Sequence, residues 1–200
     1  MGCKAFRHEV LLLPAAILFA TAFAGFRKYG EQYGFDWLLI AAQAYQESGL
    51  NPKARSPAGA VGVMQVRRAT AKEMGIPNIA DVEQNVHAGV KYMAHLRDRY
   101  FDDPEITAAN QWDFALAGYN AGPARVQKWR KKARASGLDP NRWFANVELI
   151  ALREIGRETV RYVRNINKYY VAYKLTSDIL EKRVRERGKR GSPREEGDPE

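Results

Sequence analysis

The chain reads as all-α. Apolar residues recur three and four apart through most of it, and no stretch alternates with period two for long enough to make a convincing strand. Capping acids, glycines and prolines punctuate the apolar runs where helices should start and stop.

The elements follow in order. Residues 10–24 (VLLLPAAILFATAFA) form a short apolar run after Lys4 and Arg7, and Ala20, Ala22 and Ala24 offer A-x-A cleavage sites. Residues 1–24 therefore read as an export signal, the alternatives being an uncleaved anchor, through which the chain would associate with a membrane, or a buried helix. The run is short for a span, which takes roughly 20 apolar residues. FRKYGEQYGF (26–35) is a short amphipathic segment ending in a Gly-Phe-Asp turn. Asp36 can cap a helix from Trp37 that Gly49 and Pro52 stop. Residues 52–65 are small and Gly-rich, which predicts a close-lying loop rather than a strand. A short helix is expected near 69–74, ended by Gly75 and Pro77.

Asp81 with Gln84 makes a capping-box-like start for a helix reaching about Phe101, with Val82, Val86, Val90 and Met93 inward. Trp112, Ala115, Leu116 and Tyr119 mark the next helix, halted by Asn120, Gly122 and Pro123. Two basic helices should flank GLDPNRW, and a last helix is expected from Glu158 to Leu180. Residues 181–200, nearly pure charge with Gly and Pro, read as a disordered tail. The folded domain is thus expected over 25–180.

The net charge of +9, with a pI near 9.7, suits anionic polymers such as nucleic acid, acidic headgroups or bacterial wall. Cys3 is the only cysteine, which excludes an intrachain disulfide and a cysteine metal site. It precedes the apolar run, so it is misplaced for bacterial lipid attachment, and Phe6 breaks the myristoylation pattern. His8, His87 and His95 have no ligand spacing, so neither metal nor cofactor is expected.

The chemistry gathers around AYQESGLNPKARSPAGAVGVMQ (44–65). Glu47 falls in the last turn of its helix, where the negative end of the macrodipole and any apolar enclosure both disfavour ionisation. Such a carboxyl stays protonated near neutral pH and serves as a general acid. Gly59 and Gly62 allow backbone to approach a ligand, with Ser56 and Gln65 as polar groups beside them. A second helix ends in AGYNAGP, with Tyr119 and Asn120, and a third begins ETVRYV, with Tyr162.

These pieces resemble the family 1 lytic transglycosylases of bacteria, the SLT domain, and within them the catalytic domain of the membrane-bound type F branch. AAQAYQESGLNP, SPAGAVGVMQV, DVEQNVHAGVKYM, ALAGYNAGPARV and ETVRYVRNI stand in family order over roughly residues 26–175. The resemblance implies a lysozyme-like helical domain with a groove for peptidoglycan glycan strands, in the periplasm or cell envelope. It implies that Glu47 is the single general acid and base of a cleavage that consumes no water and leaves a 1,6-anhydro sugar. It gives Tyr162 the task of orienting Glu47, and Ser56, Met64, Gln65, Tyr119 and Asn120 contacts with the sugars. Ser48 is read as helix termination. VRRATA departs from relatives that carry a proline there, and a signal-like segment stands where type F relatives have a solute-binding-like domain.

A two-carboxylate glycosidase needs a second acid about 5 to 9.5 Å from the first. SPAGAVGVMQ and AGYNAGP contain none, which favours the one-acid reading, while Glu158 and Asp113 stay open as groups that could enter the cleft. The rivals are a muramidase-type hydrolase on the same fold and a basic module binding wall or nucleic acid through KWRKKAR, where Trp129 is the one tryptophan expected to be exposed, and RYVRNINKYY. The signal-like start argues against nucleic acid.

Overall fold

A computed structural model describes residues 5–190. Eight helices in this span run α1 (Ala5–Tyr33), α2 (Trp37–Ser48), α3 (Arg68–Glu73), α4 (Val82–Tyr100), α5 (Ala108–Ala121), α6 (Pro123–Ala135), α7 (Glu148–Ile155) and α8 (Glu158–Arg190). Between α2 and α3 lie two short antiparallel strands, β1 (Ala60–Val61) and β2 (Val66–Arg67), with Ala60 opposite Arg67. The all-α expectation holds apart from this hairpin. Two-residue strands are too short to display a period of two, so the glycine-rich composition alone was visible.

Local signals set the helix ends. The Asp36 carboxylate accepts the Leu38 N–H, and Gly49 closes α2 at a positive φ of 62°. Asp81 accepts from the Gln84 N–H to start α4, although the Gln84 side chain bonds Asn78 rather than closing a reciprocal box. Gly122 is at once the C-cap of α5 and the N-cap of α6, so the two helices meet without a loop.

Helix α4 and helix α5 form the centre. Helix α1 packs on α4 and α2, while α8 lies across α2 and α5. Ile40, Val86, Val90, Met93, Leu116, Val163 and Ile166 interdigitate there, all fully buried. Phe101 stacks on Phe114, which meets the edge of Trp143, and Trp129 follows. Removing a large apolar side chain from such a core costs roughly 2–5 kcal/mol.

Three expectations change. Trp129 is fully buried rather than exposed, with its indole N–H donating to Glu154, so KWRKKAR offers no aromatic platform. Helix α7 is not basic: Glu148 and Glu154 accompany Arg153. Helix α8 continues past the expected end at Leu180 to Arg190, because the Glu, Lys and Arg that dominate this stretch are strong helix formers; the rest of the expected tail lies outside the described residues.

Helix α1 crosses residue 24 unbroken, with Ala22, Phe26 and Tyr29 in the core and Phe23 edge-on to Trp37. Residues 1–4, where the signal was expected to start, lie outside the described residues. Among the described residues no helix is long and apolar enough to cross a membrane.

Asp113 of α5 is buried between α5 and α8, accepting from the Asn167 amide. Burial, then the charge of Glu148, raises its pKa from 3.8 to about 7 against the pull of that hydrogen bond. Glu148 itself is buried and paired with Arg164. The folded state therefore holds the Asp113 proton that the unfolded chain releases, and stability falls as pH rises from about 4 to about 7. Asp113→Asn keeps the hydrogen-bond acceptor without the charge. Thermal melts should show it stabilised relative to the parent at pH 8 and nearly equal at pH 4, whereas an equal shift at both pH values would contradict this account.

Candidate active site

Four elements converge on one cleft: the end of α2, the hairpin, the end of α5 and the first turns of α8. A cavity of about 640 Å³ is lined by Glu47, Ser56, Gln65, Tyr119, Asn120 and Glu158. It adjoins one of about 450 Å³ where Glu47 and Glu158 meet Arg161 and Tyr162.

Glu47 is the partly buried acid of this cleft. Tyr162, nearly fully buried, donates its O–H to Glu47 Oε1 at 2.6 Å. Burial raises the carboxyl pKa from 4.5 to about 7, and the Tyr162 hydrogen bond opposes the rise. Burial, then the Glu47 charge, pushes the Tyr162 and Tyr119 phenols well above their ordinary value, so both remain donors. The protonation that the helix-end position of Glu47 suggested is thus supplied mainly by enclosure.

Behind Tyr162 stands Gln43, fully buried one turn before Glu47, with its amide N–H 3.4 Å from the Tyr162 oxygen. The amide feeds the lone pair of Tyr162 and leaves the phenol hydrogen for Glu47, which points the donor before any ligand arrives. The Gln43 carbonyl oxygen has no partner among the described residues.

The hairpin is held from beneath by Asn85. Its side-chain oxygen accepts the Met64 N–H at 2.9 Å, and its amide donates to Val61 O at 2.9 Å and Ile79 O at 3.0 Å. Any side chain at Gly62, which has a φ of +80°, would collide with Asn85, and a Cβ on Gly89 would fall 2.6 Å from Met64 Cβ. Both glycines are needed for the hairpin to seat on α4. From above, Tyr119 donates to Met64 O at 2.7 Å, and Ser48 Oγ lies 2.8 Å from Val63 O. Ser48 does more than end its helix: it ties the acid-bearing turn to the hairpin.

Ser56, Gln65, Tyr119 and Asn120 all line the cleft as the sequence suggested. Met64 does not. Its side chain is fully buried against Gly89, so only its backbone serves the site. Ser56 Oγ accepts the Ala60 N–H, and the Gln65 amide donates to Gly62 O and Ala54 O. Asn120 accepts from Thr159 at 2.6 Å, joining α5 to α8. Of the two open carboxylates, Glu158 faces the cleft, exposed, and Asp113 does not. Sequence reasoning missed Gln43 and Asn85. Each is a polar residue on an otherwise apolar helical line (Leu39, Gln43; Val82, Asn85, Gly89, Met93), and that interruption is the signal that would have found them.

Comparison with known proteins bears on this geometry. The family model described as Transglycosylase SLT domain matches residues 25–140. The membrane-bound lytic murein transglycosylase F of Desulfosudis oleivorans is 44% identical over 156 residues, covering 72% of this chain and 34% of that protein. The protein of the same name from Shewanella woodyi is 40% identical over 163 residues, covering 72% of this chain and 33% of its own. The chain thus spans about a third of the length of the curated relatives it matches. Among solved structures, an inactive mutant of the lytic transglycosylase Slt from Pseudomonas aeruginosa superposes with a TM-score of 0.59 at 25% identity, covering 78% of this chain and 24% of that one.

Two expectations test the geometry directly. Removing the Tyr162 hydrogen bond takes away the influence that lowers the Glu47 pKa, so Tyr162→Phe should carry it above about 7 when the carboxyl is followed by NMR. A shift downwards would refute the assignment of burial as the main cause. Asn85→Ala leaves the Met64 N–H and two carbonyls without partners, and denaturant melts should show a loss of about 2 kcal/mol or more.

Proposed function

The chain belongs to the transglycosylase SLT domain family, and on that premise we propose that it cleaves the β-1,4 bond between N-acetylmuramic acid and N-acetylglucosamine in peptidoglycan without water. Glu47 is the single general acid and base. Its proton goes to the glycosidic oxygen as the C1–O bond breaks, and the resulting carboxylate then takes the proton of the muramic 6-hydroxyl as O6 bonds to C1. The products are a 1,6-anhydromuramic end and a free 4-hydroxyl, and Glu47 is again protonated.

The observation that carries this reading is the state of Glu47. A carboxyl with a pKa of about 7 and a phenol at 2.6 Å is poised to give up and regain one proton near neutrality. Tyr162 orients it and steadies its charged form between the two steps. Ser56, Gln65, Tyr119 and Asn120 supply the polar lining suited to sugar hydroxyls and acetamides. An envelope location is supported by the names of the relatives and by the charged-then-apolar pattern of residues 1–24.

A second reading draws on Glu158, a carboxylate lining the cleft beside Glu47. In a muramidase-type hydrolase it would serve as nucleophile or as base for a water. Its exposure favours the one-acid route, because a charge open to solvent has little electrostatic leverage on a developing cation.

Digestion of purified sacculi followed by mass spectrometry separates the two. Anhydro-muropeptides are expected, and fragments heavier by one water would transfer the assignment to a hydrolase. Glu47→Gln should abolish release by a factor of about a thousand or more while glycan binding persists. Glu158→Gln should retain the anhydro product. Release should also decline as pH rises through about 7, since the acid form of Glu47 starts the reaction.

A further inference from the structure

A second cavity, of about 870 Å³, lies apart from the cleft. It lies on the opposite face of the hairpin, between the 52–55 segment, α3 and the 75–80 loop. Its floor is apolar, with Ala71, Ile76 and Ile79 buried. Its rim carries Lys53, Arg55, Arg68 and Lys72, all exposed, and no acidic residue lines it. Among the described residues none of these four side chains makes an ion pair or a hydrogen bond; what sets them apart from the other unpaired cations of the chain is that they surround one concavity. Four uncompensated cations around one concavity raise the local concentration of anions.

The combination selects among anions. A phosphate or a uronic acid glycan would leave the apolar floor unused, and an aliphatic chain would leave the cations unused. A short peptide with carboxylates and small aliphatic groups uses both. We infer that this cavity binds the acidic peptide carried by the wall polymer, its carboxylates paired with Arg68 and Lys72 and its aliphatic groups on Ala71 and Ile79. The identity of the source rests on the peptidoglycan reading above, since a glycan in the cleft brings its own peptides to the neighbouring face.

The wall between cavity and cleft is one hairpin thick. Gln65 lines the cleft, yet its amide donates to the carbonyls of Ala54 and Gly62, two residues that line the cavity. Asn85 holds the same wall at Val61 O and fixes Ile79 O on the cavity's far side. A peptide seated in the cavity therefore leans on the groups that set the position of Gln65.

The probe is the stem peptide released from sacculi by an amidase, added to the full chain and followed by calorimetry and backbone-amide NMR. Binding with shifts at Ala71, Ile76 and Ile79 is expected, and the same peptide with its carboxylates amidated should not bind. Arg68→Ala combined with Lys72→Ala should weaken binding by about tenfold, the scale of two exposed charge contacts, and Lys72→Arg should restore most of it. The double variant should release fragments several-fold more slowly from peptide-bearing sacculi, with no change on peptide-stripped glycan. Shifts confined to Glu47 and Tyr119, or equal binding by the double variant, would overturn the inference while leaving the lytic reading intact. Poly-glutamate bound as tightly as the stem would overturn the wall peptide as the occupant. Because binding is read without turnover, loss of the lytic reading alone leaves the cavity measurement standing.

Discussion

One carboxamide fixes the floor of the cleft. Asn85, fully enclosed on α4, satisfies a backbone N–H and a carbonyl of the hairpin and a carbonyl of the 75–80 loop, and no apolar residue could replace it without leaving those groups unpaired in the interior. From below, the hairpin takes its position from that side chain, with Tyr119 and Ser48 tying it from above. Met64 is drawn into the core, its carbonyl is presented to Tyr119, and Gln65 is held at a positive φ of 49° with its side chain along the cleft. The cleft is therefore assembled around a buried polar group, with the apolar core as its support.

The acid depends on a different balance. Enclosure disfavours the charge on Glu47, and the phenol of Tyr162 restores part of what enclosure removes. Gln43 sits behind the phenol and sets which way its hydrogen points. Without the phenol the carboxyl would hold its proton more firmly, and without enclosure it would be ionised at neutral pH. Asp113 shows what burial does where no such task follows: a carboxyl bonded to an amide inside the bundle, with a cost in stability above neutral pH.

Most of the framework is legible from local chemistry. Asp36, Gly49, Asp81 and Gly122 act on atoms within a few residues of themselves, so sequence reading finds them. Glu47 and its partners at 119, 120 and 162 were found through motif order. What failed depended on distant chain. Met64 reads as a cleft residue until Gly89 is seen to open a place for it in α4, and Trp129 reads as exposed among lysines until Trp143 is brought against it. The hairpin was lost because four strand residues carry no period. Glu158 could be named as a candidate, but only the start angle of α8 shows that it faces the cleft.

The shared glycine at position 122 has a mechanical consequence. Because α5 ends and α6 begins on the same residue, the wall carrying Tyr119 and Asn120 cannot lengthen or swing without displacing two packed helices. The opposite wall carries an exposed turn at Ser56–Gly59, just before β1, with open space around Gly59. The cleft is thus a vice with one fixed jaw and one adjustable jaw. The width of the cleft is therefore most readily altered through the length and sequence of the turn before β1.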